Sequence, residues 1–318
     1  MSYSLALDAP VNASLRRAGV KQLREALKCL QEDFSPPKIH QARKAFKRFR
    51  SLLILARPGM AGSAYRAFDH GVRDVARRFA GARDGAAMAQ AANQIEAAAV
   101  LPAVKSVARA VGAALRAGEA AEPKPIEARE ALAQLQRLHA DFLSVPIKLD
   151  GFPDVAAAAA AAYRDGRRRT DAVGGDMAAD DEAVHDWRKS VQRHWRHMQL
   201  LSPAWPGLLS EHATLARSLS QHLGDDHDLS VLSGFVTARG AAYGPKRDVA
   251  EFLRYCAEAK SSLRAIAHAE ARRLFADPPK CFERRLRVYW DTAPQLRQAL
   301  AAASPEQAPA GLRLVKRG

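Results

Sequence analysis

Apolar residues recur at helical spacing along most of the chain, and no run of alternating β-branched residues stands out. The periodicity predicts helices near 12–33, 38–57, 63–82, 86–117, 126–144, 152–170, 180–201, 205–222, 226–239, 247–275 and 279–301. Breakers fall where these segments end: Ser35-Pro36-Pro37, Pro58-Gly59, Pro123 to Pro125, Gly151 to Pro153, Gly174-Gly175, Ser202-Pro203, Gly244-Pro245 and Pro278-Pro279. The expected fold class is therefore all-α. Residues 304–318 read as a short, basic, flexible tail.

Two of the predicted helices resemble each other in an unusual way. Residues 39–58 read IHQARKAFKRFRSLLILARP and residues 184–203 read VHDWRKSVQRHWRHMQLLSP. A shift of 145 residues aligns His40 with His185, Arg43 with Arg188, Lys44 with Lys189, Arg48 with Arg193, Leu55 with Leu200 and Pro58 with Pro203. A duplicated core helix would match mainly in its apolar residues. Here the match lies largely in the charges, as expected when a repeated fold presents the same anion-binding face twice. A second, looser pair follows at nearly the same spacing: Ala76 to Asp84 can be laid on Ser220 to Asp228. These linked repeats place a boundary near residues 147–152, with one helical bundle in residues 1–148 and a related one in residues 149–303.

Each basic stretch also has a one-sided layout. At roughly 100° per residue, His40, Arg43, Lys44 and Lys47 share an arc of about 100°, with Arg48 at its edge. In the second copy His185, Arg188, Lys189 and Arg196 share such an arc, with Arg193 at its edge. Phe46, Phe49, Leu53, Val191 and Trp195 lie largely off the stripe and can pack inward. Like charges at i,i+4 destabilise a helix, and no acidic residue between His40 and Pro58 relieves them. Such a face calls for an anionic partner. Arg grips phosphate oxygens as a bidentate fork, Lys adds a point charge, and His donates from both nitrogens once protonated.

Composition supports that partner without choosing it. The chain has 318 residues, with 49 Lys plus Arg against 34 Asp plus Glu, a formal charge of +15 and a pI near 10.1. The excess suits nucleic acid, an anionic membrane or a phosphate polymer. Cys29, Cys256 and Cys281 are scattered, which argues against a disulfide framework and for reduced thiols. MSYSLALDAP is a poor secretion signal, and no stretch approaches ~18 uninterrupted apolar residues. The expectation is a cytoplasmic protein that does not engage a membrane.

The segments His40-Gln41-Ala42-Arg43-Lys44, His185-Asp186-Trp187-Arg188-Lys189-Ser190 and Leu223-Gly224-Asp225-Asp226-His227-Asp228-Leu229 resemble the CHAD family, the conserved histidine α-helical domain. Arg272-Arg273-Leu274-Phe275-Ala276-Asp277-Pro278-Pro279-Lys280 is similar to that family's C-terminal stretch. The likeness runs over about residues 10–300 and is tighter in the second half, since Gly81-Ala82-Arg83-Asp84-Gly85 departs from the Gly-Asp-x-x-Asp pattern. The resemblance implies two related bundles about a pseudo-two-fold axis, with a basic groove or pore between them. It also implies binding of inorganic polyphosphate and targeting to polyphosphate granules, with other granule proteins as further partners. The N-terminus lacks the alternating ExExK strand of the triphosphate-tunnel domain often fused to this family, so a stand-alone module is expected.

The expected polyphosphate-binding residues are His40, Arg43, Lys44, Lys47, Arg48, His185, Arg188, Lys189, Arg193 and Arg196, with Arg272, Arg273 and Lys280 from the family-like C-terminal segment. Asp84 and Asp228 are expected to hold basic side chains in place, while Asp225, Asp226 and Asp228 read as caps at a helix start. Trp187, Trp195, Trp205 and Trp290 fall on apolar sides of predicted helices and read as core anchors. No cofactor, metal or catalytic residue is expected. Two rival readings remain: a nucleic-acid binder, and a metal-dependent phosphohydrolase of the HD type built on His212, His227-Asp228 and Asp291. For the first, nucleic acid would have to be more than a weak, non-specific competitor of polyphosphate.

Overall fold

A computed structural model describes residues 3–79, 81–117, 125–173 and 180–302, with the side chains of residues 81–84, 86, 87, 125, 126, 301 and 302 outside the description. Among the described residues, regular structure is entirely helical. The α-helices are α1 (Val11–Glu32), α2 (Pro36–Ala56), α3 (Gly62–Arg77), α4 (Gly81–Ala98), α5 (Pro102–Ala117), α6 (Pro125–Ser144), α7 (Phe152–Val173), α8 (Asp181–Leu201), α9 (Pro206–Arg239), α10 (Lys246–Leu274) and α11 (Pro279–Ala302). Proline opens α2, α5, α6, α9 and α11, because its fixed φ suits the first turn and its missing N–H would have had no helical partner there. Pro58 and Pro203 lie in 3₁₀ turns, Arg57–Gly59 and Ser202–Ala204, which end α2 and α8 in the same manner.

Besides α3, which ends at Arg77 and not at 82, and α4, which begins at Gly81 and not at 86, two differences from the sequence-based expectation change how the chain divides into helices. The single helix expected over 86–117 is two, because Pro102 pushes Leu101 out of the helical region and the chain turns at Ala99 to Leu101 before α5 begins. The two helices expected over 205–222 and 226–239 are one, α9. Asp225, Asp226 and Asp228 therefore cap nothing. They sit in the middle of a 34-residue helix whose Leu219, Leu223, Leu229 and Leu232 keep a continuous buried face through the acidic cluster. The 304–318 tail lies outside the described residues.

The apolar cores do not separate at residue 148. One joins Leu15, Phe49, Leu53 and Phe142 to Tyr163, Trp187, Leu219 and Phe275; the other joins Ala92, Val104 and Val111 to Leu232, Val236 and Phe252. Fully burying a side chain of this size contributes about 1.5–3 kcal/mol, so each core ties the two halves of the chain together. Trp187 is fully buried, and its indole Nε1 donates to Thr170 Oγ1 at 3.0 Å. Trp290 stacks on Phe152 at 4.2 Å. Trp205 departs from its expected core role: it is 46% exposed and meets Tyr289 edge-on at the surface.

Several main-chain contacts lock the segments that flank the basic helices. Leu5 N donates to Leu200 O at the end of α8, and Lys148 N donates to Gly59 O in the turn after α2. Arg16 on α1 donates to the carbonyls of Phe142, Leu143 and Val145 where α6 ends, and Arg167 on α7 donates to Asp277 O just past α10. Arg16 thus satisfies carbonyls that the end of α6 leaves unpaired, and Arg167 ties α7 to the connection between α10 and α11. Between α2 and α8, buried His197 donates from Nε2 to Ser51 O at 2.9 Å, which fixes its tautomer and holds the two basic helices together.

Candidate anion-binding site

A cleft of about 490 Å³ opens where α2 and α8 meet, flanked by α3 and α9. Its walls carry Arg43, Lys47 and Arg50 from α2, and Arg188, Lys189, Arg193 and Arg196 from α8. Tyr65 and Asp69 come from α3, His185 and Gln192 from α8, and His227 and Asp228 from α9. Among the described residues, seven cationic side chains thus face two carboxylates across one cavity. The helical repeat explains the convergence. Residues 43, 47, 50 and 54 follow one stripe of α2, while 185, 188, 189, 192 and 196 follow one stripe of α8.

The surrounding fold holds these cations in place. Arg43 Nη1 donates to the carbonyls of Ala76 and Phe79, at 3.2 and 3.4 Å, around the C-terminus of α3, where the helix dipole is negative. Arg50 Nε donates to Asp69 Oδ1 at 2.6 Å. On the other wall Arg193 reaches Asp165 at 3.2 Å, and Lys189 reaches Asp186 at 2.9 Å. Arg169 on α7 bridges both of these aspartates. Burial opposes ionisation of Asp165, yet hydrogen bonds from Arg168 and Arg169 hold its carboxyl below the usual range. Arg196 is 8% exposed and donates to Gln192 O at 2.7 Å. Burial lowers its pKa to about 10.

Arg188 depends on a close approach. A Cβ at Gly224 would lie 2.8 Å from Arg188 Nη2 and 3.2 Å from its Cζ. Glycine at this position of α9 lets the guanidinium rest against the helix backbone. Two residues on, Asp226 is 1% exposed and accepts from Arg264 Nε at 2.7 Å. Arg264 Nη2 also donates to Asp181 at 2.5 Å, so this buried network clamps α9, α10 and the start of α8 behind the cleft.

The two cleft histidines stack on each other, His185 on His227, with centroids 4.5 Å apart. Burial, then Lys189, His227 and Arg188, lower the pKa of His185 to about 4; burial and Arg188 likewise lower that of His227. In the empty cleft His185 is therefore neutral near pH 7, a state the charge-rich sequence did not suggest. A bound anion would oppose these effects and favour its protonation.

The model of the CHAD domain family matches residues 14–237, from α1 almost to the end of α9. The chain belongs to the CHAD family. The crystal structure of the CHAD domain from the plant Ricinus communis is similar over 87% of this chain and 96% of that one, with a TM-score of 0.57. At 14% identity the likeness is one of fold. No curated protein matches the chain. Every residue lining the cleft falls within the CHAD segment.

Seven of the ten basic-stripe residues singled out from sequence line the cleft of this CHAD domain: Arg43, Lys47, His185, Arg188, Lys189, Arg193 and Arg196. His40 and Lys44 are exposed on α2 outside it, and Arg48 lines a different cleft. Arg272, Arg273 and Lys280, at the end of α10 and the start of α11, are exposed and lie outside both the cleft and the matched segment. The side chain of Asp84 lies outside the described residues. Asp228 lines the cleft itself, whereas carboxylates that hold basic side chains include buried Asp226 and partly buried Asp165. Sequence reasoning missed Arg50, Tyr65, Asp69, Gln192 and His227. Arg50 could have been found, because it continues the 43–47–50 stripe. Tyr65 and Asp69 carry no such signal, since only packing brings α3 to the cleft.

The residues of the HD-type reading do not form one cluster. His212 Nε2 lies 2.8 Å from His194 Nε2 beside Phe282, His227 stacks on His185, and Asp291 is exposed on α11. Among the described residues no three His, Cys, Asp or Glu side chains are grouped as a metal would require. Among them, too, no helix is long and apolar enough to cross a membrane.

Proposed function

We propose that the central cleft binds inorganic polyphosphate without chemically altering it, and that the protein associates through it with polyphosphate granules in the cytoplasm. One observation carries the reading: among the described residues, seven cations against two carboxylates in one cavity, held there by a helix end, partly buried aspartates and a glycine. A flexible chain of phosphates, each bearing charge, matches such a dense array along its length. Binding is then electrostatic clamping, with Arg forks and Lys ammonium groups on successive phosphates. It should weaken with added salt, as counterion release requires, and strengthen with chain length. Other granule proteins are proposed as further partners, and nucleic acid as a weaker, non-specific competitor. Apart from His185 and His227, which stack on each other, the aromatic residue lining the cleft is Tyr65, which is little provision for stacking bases along a strand.

The test is competition at near-physiological salt. Labelled long-chain polyphosphate is displaced by unlabelled polyphosphate, duplex DNA and RNA, and polymer length is measured afterwards. Strong preference for polyphosphate with intact polymer is expected. Displacement by nucleic acid at equal phosphate concentration would overturn the choice of ligand, and chelator-sensitive shortening of the polymer would make the protein an enzyme.

A further inference from the structure

A second cleft of about 430 Å³ lies on a different face of α8, lined among others by Tyr3, Arg48, Trp195, Gln199, Thr214 and Arg217. Among the described residues, no carboxylate lines it. Its arginines are braced by aromatic rings. The Arg48 guanidinium lies 5.5 Å from the Tyr3 ring centroid, and that of Arg217 lies 5.9 Å from Trp195. Arg196, which lines the central cleft, stacks on the same Trp195 ring at 4.9 Å. Arg196 thus lines the central cleft and backs the Trp195 wall of the second.

Among the described residues, Arg48, Arg196 and Arg217 form no ion pair. Arg264, the other buried arginine, has both Asp226 and Asp181. A guanidinium as buried as Arg196 is unfavourable without a counter-ion. Tyr3 does not supply one, because burial raises its phenol pKa and keeps it neutral. Three hydroxyls of the cleft donate to the protein itself, Tyr3 to Arg48 O, Ser202 to Gln199 O and Thr214 to Ser210 O, which leaves Ser210 as a neutral hydroxyl. The strong donors left facing the cavity are the arginines, and the complement to such a set is a ligand that only accepts hydrogen bonds and carries negative charge. The Trp195 ring already carries two guanidinium groups, so stacking of a nucleobase is not what the cleft provides.

We infer that this second cleft is an anion site for phosphate groups, with Arg48 and Arg217 as its donors and Arg196 as the cation behind its Trp195 wall, on the side of the central cleft. The choice of phosphate rests on the reading of the central cleft. Two sources fit the chemistry: the far segment of a long polyphosphate chain held centrally, or a separate short phosphate ligand.

Calorimetric titration of the full chain with tripolyphosphate tests the inference. The wild type should take it at two classes of site, and Arg48→Gln/Arg217→Gln should lose one and keep the other. Long-chain polyphosphate then separates the sources. One chain spanning both clefts predicts an affinity loss of about tenfold, the lower range for removing a hydrogen bond to a charged group; separate ligands predict unchanged long-chain affinity. A double variant matching wild type in both tripolyphosphate stoichiometry and long-chain affinity overturns the inference. Arg217→Gln alone alters an exposed side chain and serves if the pair disturbs folding, with helicity checked by circular dichroism. Arg188→Glu/Lys189→Glu distinguishes the two readings. If it binds like wild type while the second-cleft variant loses a site, the central reading falls and this one stands; the reverse pattern sinks this one alone.

Discussion

Polyphosphate affinity should rise as pH falls, and His185 determines the slope. In the free protein its pKa is about 4, through burial first and then Lys189, His227 and Arg188. The charged and titratable groups around it are Arg188, Lys189 and Asp186 on α8, His227 and Asp228 on α9, and Arg43 and Lys47 across the cleft on α2. Phosphate oxygens beside the ring add the negative charge this setting lacks. If binding restores His185 to its ordinary value of about 6.5, the complex holds more protons than the free protein between those two values. Affinity then increases on acidification, by about fourfold from pH 8 to 6 and about 30-fold from pH 8 to 5. Fluorescence anisotropy with labelled long-chain polyphosphate, at fixed ionic strength, measures the change. His185→Gln removes the protein's main share while leaving titration of the polymer's own end groups. Calorimetry in buffers of different ionisation enthalpy reports the proton taken up. A pH slope identical in wild type, His185→Gln and His185→Gln/His227→Gln would refute the linkage.

Four further outcomes follow from the packing. Arg188→Glu/Lys189→Glu should cut polyphosphate affinity sharply with unchanged helicity, and surviving affinity would show the cleft to be misassigned. Gly224→Ala should weaken binding about as much as Arg188→Ala, because its methyl displaces the guanidinium 2.8 Å away, while losing little thermal stability; wild-type affinity would mean that Arg188 relocates without effect. Asp226→Ala takes from buried Arg264 its fully buried carboxylate partner and should destabilise the fold by about 3 kcal/mol. Denaturant melts would read this, and Asp226→Leu/Arg264→Met should recover much of it. His194, His197 and His212 all have pKa values depressed by burial, to about 3 for His197 and about 4 for His212. The unfolded chain therefore binds more protons, and stability should be lost as pH falls below about 6.5 toward 4, measurable as a falling Tm.

The basic stripes were legible because a helix repeats its faces at a fixed interval, so spacing alone groups Arg43 with Lys47 and Arg188 with Lys189 and Arg196. Helix starts at proline were legible for a similar local reason. The acidic cluster misled. Asp225 to Asp228 have the local chemistry of a helix start, and only the continuous apolar face of α9 and the partner Arg264, 38 residues away, carry the helix through them. Arg48 shows the limit of spacing from the other side. It lies at the edge of the α2 stripe, yet packing turns it toward Tyr3 and Trp195 in another cavity.

What the chain specifies by itself is local: all-helical structure, the ends of most helices, and two cationic faces, each set by neighbours within a few residues. Which faces meet is decided in three dimensions. His197 must reach Ser51, Gly224 must let Arg188 lie flat, and the end of α3 must come up to Arg43 before seven dispersed charges surround one space. Coulomb repulsion would separate those charges in an isolated helix pair. The two shared cores, built from both halves of the chain, hold them together around the cleft.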